Sequence, residues 1–253
     1  MAVGAEDSSV CVMNMANAFK QGGGWLEGTS AQEEQLMYRT TLAHTLALHY
    51  YPFPDVYPVP GEALHAGFRA EAAAAPADEV GVVFSPAVAI MRDGPPDYMT
   101  YDLTIRDPEV VSVVSVAALD LRKFLKEGTR AEVYPCDEHR QIMKDKIRLV
   151  LRACANEGQT RLVLGALGCG VFKNPPAEVA AIYREVFDEY EFRGWFKQVV
   201  FAILKDVNSP NVATFKAVLE GMELAVGRED DDANKAPLVD PVVGAAGRRI
   251  MID

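Results

Sequence analysis

The stretch DPEVVSVVSVAAL, residues 107–119, decides the fold class of this chain. It is the most β-branched run in the sequence, and valine favours a pleated, buried surface, so the stretch predicts a central β-strand. Shorter apolar runs predict further strands at residues 8–16, 160–170 and 197–204. The run at residues 79–91 predicts two strands that are broken at Ser85-Pro86, because proline removes a donor from the hydrogen-bonded ladder.

Segments with helical spacing of apolar residues alternate with these strands. They predict helices at residues 30–50, 137–156, 176–190 and 211–223. Strands and helices that interleave in this way predict an α/β sandwich around a largely parallel or mixed sheet. We expect one domain, residues 1–226, and a flexible tail, residues 227–253, which is acidic and then rich in glycine, proline and alanine. The alanine cluster at residues 61–79 indicates a helical excursion or a variable loop.

Composition limits the classes of function. The formal net charge of −11 argues against a broad basic surface for direct nucleic-acid binding. The four cysteines form no C-x-x-C pair and the four histidines are scattered, so we expect reduced thiols, no metal site and no cofactor. The first residues lack the pattern of a signal peptide, and no segment is apolar for long enough to span a membrane. We therefore expect an intracellular protein of the cytoplasm or nucleus.

Two glycine clusters follow predicted strands, at the strand ends where ligands gather in α/β sheets. The first is Gly22-Gly23-Gly24, and the second is GALGCGVFKNPP, residues 165–176, which leads into a helix with Asn174 as its expected N-cap. Glycine lets backbone N–H groups approach a ligand and a helix N-terminus favours an anion, so both loops suit a phosphate or pyrophosphate. Alternatively, these glycines only form tight turns. Neither loop has a common nucleotide signature. Trp25 and Phe172, each beside one loop, are candidates to stack on a ring.

Two adjacent carboxylates, Glu33 and Glu34, stand where the first predicted helix begins. Ser30 and Glu33 have the spacing of a capping box, in which Ser30 is the N-cap and the Glu33 carboxylate accepts its amide. That interpretation explains Glu33 and leaves Glu34 unexplained. Neighbouring residues of a helix point about 100° apart, so the pair cannot flank one bond as in ordinary glycosidases, but it can share one ligand. The helix N-terminus lowers the pKa of a carboxyl group whereas a second carboxylate raises it, and the sequence leaves open which effect prevails.

These motifs resemble a known family. NMANAFKQGGGWLEGTSAQEE, residues 14–34, is similar to the signature of microbial-type poly(ADP-ribose) glycohydrolases, in which a GGG run is followed shortly by QEE. LGALGCGVFKNPP, residues 164–176, resembles that family's diphosphate-binding loop, and residues 82–93 and 110–118 resemble its intervening strands. The resemblance extends over residues 10–215. It implies a macrodomain-like three-layer α/β/α sandwich with a mixed sheet, and hydrolysis of ribose–ribose O-glycosidic bonds that releases ADP-ribose.

The resemblance also implies roles for individual residues. Glu34 would be the catalytic general acid/base, Glu33 would hold the ribose hydroxyls beside the scissile bond, and Gln32 would brace the turn. The other candidates would bind substrate: Asn17 at the distal ribose, Gly22, Gly23 and Gly24 beside that ribose and the diphosphate, Gly168, Cys169, Gly170 and Val171 through their amides at the diphosphate, and Phe172 against the distal ribose. Poly(ADP-ribose) or ADP-ribosylated proteins would be the substrate, ADP-ribose the product ligand, and a monomer the active form.

Two features depart from the family pattern. Gln21 stands where relatives often have proline before the glycines, and the first strand begins almost at once, where many relatives carry a preceding helical segment. The competing hypothesis is a module that binds ADP-ribose without cleaving it, because the loops alone suffice for binding and only the Glu33-Glu34 pair favours turnover. A phosphatase acting on ADP-ribose would need a metal cluster or a phosphate-directed nucleophile, and the sequence offers neither motif.

Overall fold

A computed structural model describes residues 10–46, 81–104, 107–126, 129, 131–205, 209–225 and 249–252. The described strands are β1 Val10–Met15, β2 Val82–Ala89, β3 Val110–Val116, β4 Arg161–Leu164, β5 Gln198–Phe201 and β6 Arg249–Ile252. The described α-helices are α1 Gln32–Arg39, α2 Leu42–Thr45, α3 Asp137–Asn156, α4 Pro176–Asp188 and α5 Asn211–Leu219. The chain divides into two compact units, the first Met1–Ser8 with Val12–Ala118 and the second Ser9–Cys11 with Leu119–Asp253.

In the first unit the strands lie in the order β2-β3-β1, so β3 has a neighbour on each side, as the sequence predicts for a central strand. β2 and β3 are antiparallel, with Val82 opposite Val116 and Ala89 opposite Val110. The prediction of two strands broken at Ser85-Pro86 is wrong. β2 is continuous, because a register shift between Ser85 and Val88 accommodates the missing proline donor.

The single helix predicted over residues 30–50 is two short helices, α1 and α2, as far as residue 46. The chain leaves the helix at two β-branched residues that pair with the end of β2. Thr40 forms an antiparallel bridge with Ile90, and the Thr41 backbone N–H donates to the Ala89 carbonyl at 3.0 Å. The resulting corner buries a small core on the inner side of α1 and α2. Its fully buried members are Met37, Leu42, Leu46, Val88 and Val113.

In the second unit β4, β5 and β6 are parallel, with Arg161 opposite Gln198 and Gln198 opposite Arg249. α3 has the predicted bounds, whereas α4 and α5 end earlier than predicted. β6 lies within the segment predicted as a tail. The last residues of that segment therefore pair with β5, while residues 226–248 lie outside the described part. The division into a domain of residues 1–226 and a tail of residues 227–253 stays a prediction.

Ion pairs join α3 to the region of α4. Cationic side chains at four-residue spacing share one face of α3, where Arg140 pairs with Glu178 at 2.8 Å and Arg148 with Glu189 at 2.7 Å. Between them, Lys144 lies 3.0 Å from Glu185. The network fixes α4, and therefore the loop that precedes it.

The predicted mixed α/β fold is confirmed: six strands of mixed direction alternate with helices that flank them. Cys11, Cys136, Cys154 and Cys169 form no disulfide bond in the structure, and their reduced state stays a prediction. Within the described ranges, no helix combines the length and apolarity needed to cross a bilayer. The alanine cluster at residues 61–79 lies outside the described residues.

Candidate functional site

Gln32 ties the first residue of α1 to strand β1. Its Oε1 accepts the Met15 amide at 2.9 Å, and its Nε2 donates to the Met13 carbonyl at 2.7 Å. The side chain thus pairs with the strand backbone as another strand would. Because both ends of the amide are used, the start of α1 is fixed against the end of β1, and the next two residues, Glu33 and Glu34, have defined positions.

Glu33 is buried and faces the end of β1. Its Oε2 accepts the Asn17 backbone amide at 2.6 Å, and its Oε1 lies 3.5 Å from Nδ2 of Asn14, which also donates to Ser115 Oγ at 3.1 Å. The capping-box interpretation is therefore wrong: the N-cap of α1 is Ala31, and Glu33 binds Asn17 instead of Ser30. Burial raises the pKa of Glu33 to about 7, although hydrogen bonds from Asn17 and Asn14 oppose the rise.

Glu34 is 6% exposed, and its two oxygens differ. Oε1 accepts the Gly24 backbone amide at 2.9 Å. Oε2 is buried and has no hydrogen-bond partner among the described residues. Since a buried, unpartnered carboxylate oxygen is costly, Oε2 is an atom of this site that a ligand could satisfy.

The three glycines form the turn beneath both carboxylates. Gly22 and Gly23 have φ of +70° and +58°, which side-chain-bearing residues rarely adopt. A Cβ at Gly23 would overlap Oε1 of Glu34 and would lie 3.0 Å from Oε2 of Glu33. One oxygen of each carboxylate therefore lies against the same backbone atom, so the pair can act on a single ligand, as the sequence predicts.

Side chains on either side of the glycines hold this turn. Asn17 Oδ1 accepts the amides of Phe19 and Lys20 at 2.8 and 3.0 Å, which leaves its Nδ2 as the group with which it can bind a ligand. Gln21 Nε2 donates to the Ala43 carbonyl at 2.9 Å and also to the Leu46 carbonyl. Gln21 thus anchors the turn to α2. Its hydrogen bonds supply rigidity at the position where relatives often have proline.

The second glycine loop follows β4 in the second unit. Gly168 has φ of +71°, and Gly170 and Val171 are exposed. Within the described ranges, no backbone carbonyl accepts the amides of Gly170 and Val171, and a Cβ at Gly170 would meet nothing within 4 Å. Cys169 differs from its predicted role: it is buried, and its amide donates to the Ala166 carbonyl at 3.0 Å. Its amide therefore closes the loop's own turn.

Asn174 and Phe172 complete this loop. The predicted N-cap role of Asn174 is wrong: α4 has Pro175 at its N-cap, and the buried Asn174 side chain donates to the carbonyls of Leu119 at 2.7 Å and Gly168 at 3.2 Å. Phe172 is half-buried, its carbonyl accepts the Leu121 amide at 3.0 Å, and its ring lies 5.2 Å from the Arg122 guanidinium carbon. Asn174 therefore fixes the loop through hydrogen bonds to its backbone, and the Phe172 side chain stays partly accessible to solvent.

The structure groups the predicted site residues within each unit. The first unit gathers Asn17, Gly22, Gly23, Gly24, Gln32, Glu33 and Glu34, and the second holds the loop from Gly168 to Phe172. Sequence reasoning missed Asn14, whose amide faces the Glu33 carboxylate, and Ser115, whose hydroxyl oxygen accepts a hydrogen bond from Asn14. A buried polar residue inside an apolar strand was the available signal for both. In the described ranges, no three His, Cys, Asp or Glu side chains are grouped so that they could hold a metal ion.

Comparisons with known proteins agree with the resemblance carried by the sequence motifs. The family model "Microbial-type PARG, catalytic domain" matches residues 2–93. The crystal structure of poly(ADP-ribose) glycohydrolase from Thermomonospora curvata is similar with a TM-score of 0.65 and 27% identity, over 84% of this chain and 69% of that one. The Deinococcus radiodurans enzyme in complex with ADP-ribose is similar with a TM-score of 0.62 and 27% identity, over 84% and 76% of the two chains. No curated protein sequence matches this chain significantly.

Proposed function

We propose that this chain, which resembles the microbial-type poly(ADP-ribose) glycohydrolases in sequence and in fold, hydrolyses the ribose–ribose O-glycosidic bonds of poly(ADP-ribose) and releases ADP-ribose. The observation that carries the proposal is the state of Glu34: Oε1 is fixed by the Gly24 amide, while Oε2 is buried and has no partner among the described residues. A general acid needs this combination of fixed position and a free oxygen.

In the proposed reaction, protonated Glu34 donates its proton to the ribose oxygen that departs. The bond between that oxygen and C1″ of the distal ribose breaks, the leaving unit keeps the bonding electrons as a neutral hydroxyl, and positive charge develops at C1″. The Glu34 carboxylate then takes a proton from a water whose oxygen bonds to C1″, so that Glu34 is protonated again. Such acid–base catalysis contributes roughly 10²–10⁴-fold to the rate.

Glu33 is the proposed holder of the ribose hydroxyls beside the scissile bond. Its carboxylate accepts from Asn17 and faces Asn14, and a carboxylate has acceptor capacity beyond those two donors. The raised pKa of Glu33, about 7, means that it exchanges a proton near neutral pH. Glu33 can therefore accept from or donate to a hydroxyl without a change of position.

The remaining predicted residues are proposed to bind the substrate. Asn17 Nδ2 binds the distal ribose, Gly22 to Gly24 admit it, and the amides of Gly168, Gly170 and Val171 bind the diphosphate, with Phe172 against the distal ribose. The diphosphate role is supported by the exposure of Gly170 and Val171, whose amides no backbone carbonyl of the described residues accepts. Backbone N–H groups bind an anion without a basic surface, which suits a chain with a net charge of −11.

The proposed substrate is poly(ADP-ribose) on modified proteins, and the proposed active form is a monomer in the cytoplasm or nucleus. No metal or cofactor takes part in the proposed chemistry, because the carboxylate supplies both acid and base. Incubation of the protein with poly(ADP-ribose), followed by chromatographic separation of the products, tests the proposal. We expect ADP-ribose to accumulate while the polymer shortens. Binding of ADP-ribose with no shortening would favour the non-catalytic binding module.

A further inference from the structure

Tyr38 lies one helical turn beyond Glu34 on the same face of α1, because residues four apart on a helix are neighbours. Its hydroxyl lies 2.7 Å from the Trp25 carbonyl and 2.9 Å from the Thr29 carbonyl, so it is held against the segment that follows the glycine turn. Desolvation and the nearby charge of Glu34 both raise the pKa of Tyr38, in agreement with this proximity. An aromatic ring thus lies beside the proposed proton donor.

Two further rings extend from Tyr38. The Trp25 ring lies 6.4 Å from it at an interplanar angle of 59°, and the Tyr98 ring lies 6.1 Å from it at 76°. All three side chains are half-buried, and the flanking side chains of Leu26 and Met99 are 74% and 63% exposed. We call Trp25, Tyr38 and Tyr98 the aromatic row. Each of its side chains is partly accessible to solvent, and Trp25 also packs against the core that α1 and α2 cover.

Tyr98 is held in an unusual conformation that keeps its ring in this row. Its φ is +47°, a region that residues with side chains rarely adopt and that persists where the surroundings determine it. The surroundings here are specific: the Tyr98 hydroxyl lies 2.9 Å from Nε2 and 3.0 Å from Oε1 of Gln35, the residue that follows Glu34. Its backbone is fixed by a bond from Tyr98 N–H to the Gly94 carbonyl at 3.3 Å.

The proposed function indicates which part of the substrate could bind to the aromatic row. We propose that the aromatic row binds the adenine of the polymer unit that leaves when the glycosidic bond breaks. The ribose oxygen that receives the Glu34 proton belongs to that unit, and the same ribose carries an adenine. The leaving adenine is therefore only a few bonds from the oxygen that Glu34 protonates. Tyr38 lies beside Glu34. Aromatic side chains stack on bases, and Trp and Tyr do so while part of each ring stays in water.

The inference rests on the proposed function, and a pair of matched substrates separates the two. One substrate is ADP-ribose joined through its 1″ carbon to the 2′ oxygen of adenosine. The other is joined to the same oxygen of a ribose that carries a methyl group in place of the base. Both have the same scissile bond and the same acid–base chemistry, and only the first offers an adenine on the leaving side.

We expect Tyr98→Ala to lower kcat/KM for the adenosine substrate by roughly 5- to 100-fold, the range typical of one lost base stack, and to change the base-free substrate less than about twofold. Tyr98→Phe keeps the ring and should retain most of the preference for adenosine. Leu103→Ala, which removes an exposed apolar side chain outside the row, should change neither rate.

Three outcomes would overturn the inference. An equal fall on both substrates would show that Tyr98 only supports Glu34 through Gln35. An unchanged rate on both would show that the ring does not contact the leaving unit. If the wild-type protein cleaves neither substrate, the proposed function fails and the inference fails with it. In the first two outcomes the wild-type protein still cleaves both substrates, so the proposed function stands.

Discussion

Gly23 lies directly against the carboxylate of Glu34, in the space that a side chain at position 23 would fill. A Cβ there would overlap Oε1 of Glu34, and the same point is 3.0 Å from Oε2 of Glu33. The glycine run and the adjacent glutamates are therefore one structural feature: the absence of a side chain at Gly23 allows both carboxylates to approach the turn. This relationship joins a backbone conformation to the chemistry proposed for the site.

Gly23→Ala should lower turnover by roughly 10²-fold, because the new methyl group displaces the Glu34 carboxylate and a displacement of about 1 Å can have that effect. Gly28→Ala is the matched control. Gly28 also has a left-handed φ, +82°, but a Cβ there would meet nothing within 4 Å. Both variants should lose roughly 1–2 kcal/mol of stability from backbone strain. Similar turnover in the two variants would show that overlap with Glu34 has no catalytic consequence.

Glu33→Gln should remove a pH dependence of stability. The folded protein keeps a proton on Glu33 up to a pH of about 7, whereas the ordinary glutamate value is 4.5. Between these values the folded state binds more protons, so the wild-type free energy of unfolding should fall, relative to the variant, as pH rises, and level off above pH 7. Thermal unfolding of both proteins between pH 4 and 8 measures this.

The same variant should also slow hydrolysis, since a glutamine holds the ribose hydroxyls less strongly. A difference in stability between wild type and variant that is constant across the pH range would contradict the raised pKa. A wild-type rate for Glu33→Gln would restrict Glu33 to its structural bonds with Asn17 and Asn14.

Phe172→Ala should impair turnover by misplacing the scissile bond, with little loss of thermal stability, because Phe172 is only half-buried. Phe124→Ala is the control for removal of a surface phenylalanine of the same unit, since the Phe124 side chain is 53% exposed. Rates on the polymer and melting temperatures are measured for both. A normal rate together with a large fall in the melting temperature of Phe172→Ala would identify Phe172 as a core residue.

Hydrolysis should survive a strong chelator, because the proposed acid and base are both supplied by Glu34. The assay compares polymer shortening with and without EDTA, followed by an excess of magnesium. We expect equal rates in all three conditions. Activity that disappears with EDTA and returns with magnesium would indicate a metal-dependent ADP-ribosyl hydrolase and would contradict the mechanism.

Much of the fold could be predicted from local sequence patterns. The β-branched run of β3 and the periodicity of α3 identify their elements because burial there follows the pattern of the sequence itself. Thr40 and Thr41 show why the prediction of a single helix over residues 30–50 failed. Their departure from the helix depends on pairing with β2, about 50 residues away, and such pairing leaves no local signal.

The candidate site shows the same division. The glycines and carboxylates stand close together in sequence, so their motif predicts their proximity. The prediction of a capping box was wrong because Glu33 accepts from the backbone amide of Asn17, which a whole loop separates from the helix. The position of Tyr98 beside Gln35 could not be predicted for the same reason, because it depends on a tertiary contact between residues 63 apart in the chain.

The most direct test of the central claim is the effect of Glu34→Gln on binding and on turnover, measured side by side. Glutamine has nearly the shape of glutamate and can still accept the Gly24 amide, but it can neither donate a carboxyl proton nor act as a base. Calorimetric titration should show ADP-ribose affinity within several-fold of wild type, while polymer degradation falls by at least roughly 10²–10⁴-fold. A variant that degrades poly(ADP-ribose) at the wild-type rate would contradict the assignment of Glu34 as the general acid and base.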